Sequence, residues 1–127
     1  MGKIKVAATQ FSCCVEQQPN IDKAKELIKK AAEDGCNIVL IQELFGSTYF
    51  CQQERPERFD LAAPAHTKQN TLLAQMAEVA KEYKVVLPVS FFEKRNQIYY
   101  NSIMVFDADG KILGIPPGYS TIFSIIK

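Results

Sequence analysis

Long hydrophobic runs, a surplus of one charge and histidine are all scarce in this sequence. No stretch approaches the roughly 18 continuous apolar residues that span a membrane. The N-terminus has a lysine pair but no long apolar core ahead of a small-residue cleavage site, so it reads as a strand and not as a signal peptide. Val6 stands where a myristoylation signal needs Ser or Thr. Fifteen Lys and Arg face 14 Asp and Glu, for a formal net charge of +1. Lysine and glutamate are interleaved with no basic stripe, so neither nucleic acid nor a membrane is an expected partner. The one histidine, His66, stands in no metal-ligand spacing with Cys13, Cys14, Cys36 or Cys51, and there is no CxxC pair. The cysteines read as reduced thiols of a cytoplasmic protein, and no metal is expected. Internal repeats and low-complexity linkers are absent too.

What is present suits one domain. The chain has 127 residues, 47% hydrophobic and 23% charged, close to an average soluble globular protein. Ile4, Val6 and Ala8 alternate with Lys3, Lys5 and Ala7 in the two-residue period of a strand that ends near Gln10. After a loop over residues 12–19, Asn20 is a good helix N-cap. Ile21, Ala24, Leu27, Ile28 and Ala31 then place one apolar face toward a core, and Gly35 supplies a left-handed end. Residues 37–42 form a short apolar run, the pattern of a strand buried on both faces. The right-handed crossover rule makes this β-α-β unit parallel.

A second helix is expected over residues 71–83, with Leu72, Leu73, Met76, Val79 and Ala80 on one face. Residues 85–92 read as another buried strand, with Pro88 fitting best at an edge or bulge. Residues 99–106 form a further strand. Residues 107–110 are a turn with Gly110 at positive φ, and residues 111–115 pair back as a hairpin. The class is α/β. Two prolines, Pro116 and Pro117, then break the register, and the last residues form an apolar run with no following element to cover it.

In parallel α/β sheets, ligands bind beyond the carboxyl ends of the strands. Glu43 sits there, followed by small, apolar and aromatic residues through Phe50. Such walls would partly desolvate a carboxylate and fit it to act as a general base. The alternative is a solvated strand-end glutamate, and a lone carboxylate performs no hydrolysis without partners.

The string Ile41-Gln-Glu-Leu-Phe45 before Tyr49-Phe-Cys51 resembles the first catalytic motif of the nitrilase (carbon–nitrogen hydrolase) superfamily. Lys5-Val-Ala-Ala-Thr-Gln10, Val89-Ser-Phe-Phe-Glu93, Tyr100-Asn-Ser102, Asp107-Ala-Asp-Gly-Lys111 and Leu113-Gly114 follow the order of that family. Glu43-Leu-Phe, Tyr49-Phe-Cys and Pro88-Val-Ser-Phe-Phe-Glu93 are most similar to its N-carbamoylputrescine amidases. The resemblance implies the N-terminal half of an α-β-β-α sandwich, with residues 3–115 a partial carbon–nitrogen hydrolase domain and residues 116–127 a divergent tail. It implies a Glu-Lys-Cys triad acting on amide-like C–N bonds, with Glu43 as the base and Tyr49 and Phe50 able either to line a substrate pocket or simply to pack. The substrate of the parent enzyme is a small carbamoyl amine or amide, and no cofactor is implied.

The departures matter as much. After Leu113-Gly114 the family continues Tyr-Arg-Lys-x-His, which carries its lysine, whereas this sequence continues Ile-Pro-Pro-Gly-Tyr119. None of the four cysteines has the setting of the family's nucleophile, and Cys51 reads as part of the loop after the Glu motif. Asn101 reads as holding backbone at a strand start. The chain is therefore expected to be inactive alone, as the truncated N-terminal part of a hydrolase of polyamine biosynthesis, with fragment, splice product and decayed gene all open as its origin. The alternative is a non-catalytic interaction protein or splice product that pairs with full-length subunits, and the partners to expect are further copies in a homo-oligomer or those full-length subunits.

Overall fold

A computed structural model describes residues 2–50 and 56–113. Along the chain come β1 (Val6–Ala8), α1 (Gln17–Glu33), β2 (Ile38–Leu40), a 3-10 helix (Pro56–Leu61), α2 (Thr71–Tyr83), β3 (Leu87–Arg95) and β4 (Ile98–Phe106). β1 and β2 are parallel, with Val6 opposite Ile38 and Ala8 opposite Leu40. β3 and β4 form an antiparallel hairpin from Leu87 opposite Phe106 to Arg95 opposite Ile98. A parallel bridge from Ile38 to Val86 joins the two pairs, with Val39 N–H donating to Val86 O at 3.0 Å and Val86 N–H to Asn37 O at 2.9 Å. The strands therefore lie in the order β1-β2-β3-β4.

β1 and β2 pair in parallel as expected, but α1 begins three residues ahead of Asn20, with Glu16 at the N-cap. Pro19 is tolerated because it falls in the first turn, where its missing N–H has no intrahelical partner. Asn20 is buried inside the helix, not capping it. Its carboxamide accepts from Cys14 N–H and donates to Cys14 O, each at 2.8 Å, and so fixes the preceding loop. At the other end Gly35 takes φ +83°, as expected of a left-handed helix terminus.

α2 spans the expected residues, and Leu72, Leu73, Met76, Val79 and Ala80 are all buried. Asn70 caps it by accepting from Leu73 N–H at 3.2 Å. Of the hairpin partner expected over residues 111–115, the described part pairs back: a bridge joins Phe106 to Ile112 and Leu113 N–H donates to Val105 O at 2.8 Å, while residues 114 and 115 lie outside the described residues. Gly110 turns at φ +83°, and a Cβ there would meet Ala77 O at 2.8 Å, so the close approach to α2 needs glycine on both counts.

Pro88 lies within a regular strand and at no bulge, opposite Val105. Val86 directs its backbone groups toward β2, and by strand alternation Pro88 two residues later faces the same way. Its absent N–H therefore costs no bond to β4.

Both helices cover one face of the sheet. The core gathers Ile21, Ala24 and Ile28 from α1, Leu73, Met76 and Val79 from α2, and Val39, Leu87, Val89, Phe91 and Phe106 from the sheet. The expectation that β2 is buried on both faces is corrected. Val39 is fully buried, but Leu40 is 50% exposed and Val6 on the same face is 66% exposed. A continuous apolar run does not say which side neighbours will cover, and here the helices cover only one. The segment over residues 116–127 lies outside the described residues, as does Cys51.

Candidate active site

Glu43 stands three residues beyond β2, where the chain leaves the sheet at its carboxyl edge. Its exit is held from two sides. Gln42 reaches the loop after β1: its carbonyl oxygen accepts from Phe11 N–H at 3.0 Å, and its amide donates to Phe11 O and, at 3.4 Å, to Cys13 Sγ. On the other side Leu44 takes φ +52°, a left-handed conformation rare for a residue with a branched side chain. Two contacts hold it there. The Leu44 side chain is buried, and its N–H donates to Ser90 Oγ of β3 at 3.1 Å.

The Ser90 hydroxyl then donates to Asn101 Oδ1 of β4 at 3.3 Å, and Asn101 Nδ2 donates to Glu43 Oε1. The direction of each bond is fixed, because a backbone N–H can only donate and a carboxylate can only accept. Asn101 thus holds the side chain of Glu43, correcting the expectation that it ties backbone at a strand start. Glu43 itself is exposed, so the partial desolvation read from its apolar neighbours is not found among the described residues.

Phe50 packs against Phe92 of β3 with ring centroids 4.9 Å apart, and Phe92, Phe59 and Tyr99 continue the aromatic surface at 4.5 to 6.3 Å. Phe50 also lines a cavity of about 180 Å³ together with Leu44, Ser90, Phe92 and Leu61. Tyr49 is 50% exposed and does not line it.

Three other groups are candidates for chemistry. Glu93 is fully buried, and sequence reasoning gives it no role beyond the motif. Its Oε2 accepts from Ser102 Oγ at 2.6 Å and its Oε1 from Arg95 at 2.9 and 3.1 Å, so it locks the end of the β3–β4 hairpin. Burial pushes the Cys13 thiol above its usual range, against the opposing hydrogen bond from Gln42, which disfavours a reactive thiolate. Cys13, Cys14 and Cys36 are free thiols. His66 is exposed, with Nδ1 accepting from Lys68 N–H at 3.2 Å. Among the described residues no three His, Cys, Asp or Glu side chains are grouped to hold a metal. No described helix is long and apolar enough to cross a membrane.

With this geometry in place, the sequence pattern of the Carbon-nitrogen hydrolase family matches residues 5–116. The chain belongs to the carbon–nitrogen hydrolase family. It is 46% identical over 130 residues to an N-carbamoylputrescine amidase of Oryza sativa subsp. japonica, covering 96% of this chain and 42% of that protein. A citrullinase of Francisella tularensis is 38% identical over 115 residues, covering 91% and 40%. A crystal structure of a carbon-nitrogen hydrolase from Helicobacter pylori G27 superposes with a TM-score of 0.81 at 31% identity, covering 98% of this chain and 40% of that one. This carbon–nitrogen hydrolase chain thus spans about two fifths of the length of the relatives it matches, and its mixed α/β fold is the corresponding part of theirs.

Proposed function

We infer that this chain supplies the base-bearing portion of a carbon–nitrogen hydrolase whose substrate is a small carbamoyl amine or amide, with Glu43 as general base. The observation that carries this reading is the Glu43 carboxylate at the sheet's carboxyl edge, tethered across the sheet by Asn101. Similarity to an N-carbamoylputrescine amidase and a citrullinase supports a carbamoylated amine as the substrate class.

In this reading Glu43 takes the proton of a cysteine thiol, and the sulfur attacks the carbamoyl carbon. A lysine stabilises the tetrahedral intermediate, the C–N bond breaks, and the amine leaves with a proton. Glu43 then activates the water that cleaves the thioester, so that ammonia and carbon dioxide follow. Residues 5–116 offer no position for that lysine or cysteine, so both must come from sequence outside the matched region. Phe50, on the wall of the cavity that also touches Leu44, is the better placed of the two aromatic candidates to meet substrate.

A second reading has one observation in its favour. Ile4, Val6 and Leu40 leave an apolar face open, which suits a non-catalytic product that pairs with full-length subunits. The transcript decides between them. Tyr-Arg-Lys and Gly-x-x-x-Cys segments in the same reading frame support the hydrolase, and a frame without them supports the pairing protein. The functional test is ammonia release from N-carbamoylputrescine. The 127-residue chain alone should show none, and the chain completed with the relatives' remaining sequence should show turnover that Glu43→Gln removes.

A further inference from the structure

We propose that Ser90 and Asn101 are positioning residues that act as one relay, fixing where the Glu43 carboxylate points; this rests on the reading of Glu43 as the base. Three observations converge on it. First, Leu44 is held at φ +52°, and backbone in a sparsely populated region persists only where its surroundings over-determine it. Here the determinant is Ser90, whose hydroxyl takes the Leu44 N–H in a buried bond at 3.1 Å. Second, the same hydroxyl spends its own proton on Asn101 Oδ1 at 3.3 Å, which leaves the Asn101 amide facing Glu43 Oε1. Third, Ser90 and Asn101 sit on adjacent antiparallel strands, Ser90 opposite Ile103 and Asn101 opposite Phe92, so the sheet ladder fixes their separation.

The relay closes on itself. It begins at the backbone of the residue after Glu43 and returns to the side chain of Glu43. Backbone direction and carboxylate direction are thereby set by the same two side chains, both mounted on rigid strands. Glu43 is exposed and would otherwise sample several rotamers, so Asn101 is the group that selects one. A base must meet its proton within hydrogen-bond reach, and a misplacement of about 1 Å can cost about a hundredfold in rate.

The test has a spectroscopic arm and a kinetic arm. In the 127-residue chain labelled with ¹⁵N-asparagine, the Asn101 carboxamide resonance should move on Glu43→Gln and stay still on Glu26→Gln. A carboxamide that ignores Glu43→Gln overturns the relay. In the chain completed with the relatives' lysine- and cysteine-bearing sequence, Asn101→Leu should lower kcat roughly 10- to 100-fold with KM within about twofold. Asn101→Asp keeps the acceptor for Ser90 but turns a second carboxylate toward Glu43. It should lower kcat at least as far as Asn101→Leu. A merely structural role would multiply in any background, so the cycle with Glu43→Asp decides. The aspartate side chain, one methylene shorter, no longer reaches Asn101, and adding Asn101→Leu should then cost less than about threefold. Equal losses in both backgrounds, or a change in KM alone, overturn the positioning role. Turnover retained in Glu43→Gln instead overturns the assignment of the base, and the two failures are thereby told apart.

Discussion

Ser90→Ala removes one oxygen, and its expected cost follows from what that oxygen does. The Leu44 N–H that it accepts is buried, and alanine offers no replacement. A buried donor left without a partner costs about 1–3 kcal/mol. Leu44 must also stay at φ +52° without its clamp, in a conformation about 1–2 kcal/mol above the right-handed one for a residue with a Cβ. Relaxation of the loop would recover part of this second cost, so the total should stay near about 1–3 kcal/mol. For a chain of this length that corresponds to a fall in melting temperature of roughly 4–12 °C. Urea titration checks it independently, because the midpoint should fall while the slope stays constant. Ser12→Ala, at an exposed position, is the control and should stay within about 0.5 kcal/mol. A Ser90→Ala chain that melts within about a degree of the original, with the Leu44 amide still slow to exchange, would refute the clamp.

Three further outcomes are expected. Asn70→Ala should cost about 1–2 kcal/mol in a urea titration, because the cap on Leu73 N–H and the amide bond to Pro64 O are both lost, and Asn70→Ser should recover only the cap's share. Leu40→Lys should change the stability of the 127-residue chain by less than about 0.5 kcal/mol while reducing dye binding and self-association. In a completed hydrolase that covers this face, the same change should be strongly destabilising. Cys13 should alkylate more slowly at about pH 7.5 in the folded chain than in urea, because burial raises its thiol and the thiolate is the reacting form. Equal rates would contradict that.

Much of the fold is legible in the sequence where the signal is local. α2 is readable to the residue because an apolar face repeats at helical spacing between two polar ends. The parallel pairing of β1 and β2 follows from a helix between two short apolar runs. The start of α1 is not legible, because Asn20 has the right side chain for a cap but uses it on Cys14. Nor is the one-sided burial of the sheet, since Ile38, Val39 and Leu40 are equally apolar and only the helices distinguish them. Of the candidate site, the place of Glu43 beyond β2 is legible from the apolar run before it. Its support is not. The partner Asn101 lies 58 residues away and Ser90 lies 46 residues from Leu44, and nothing in a single sequence marks a polar residue in a strand as facing a particular carboxylate. The positive φ at Leu44 is equally silent, because leucine carries no signal for it.

The central claim is that Glu43 is a base for C–N bond hydrolysis and not a structural carboxylate. The most direct measurement is ammonia release from N-carbamoylputrescine by the chain completed with the relatives' remaining sequence, comparing Glu43 with Glu43→Gln. Glutamine keeps an oxygen for Asn101 and sits at an exposed position, so the melting temperature should move by no more than about a degree or two. Turnover should fall by on the order of a hundredfold to ten-thousandfold, the range expected when a general base is lost. Turnover retained in Glu43→Gln, together with a large loss of stability, would contradict the claim and make Glu43 a structural residue.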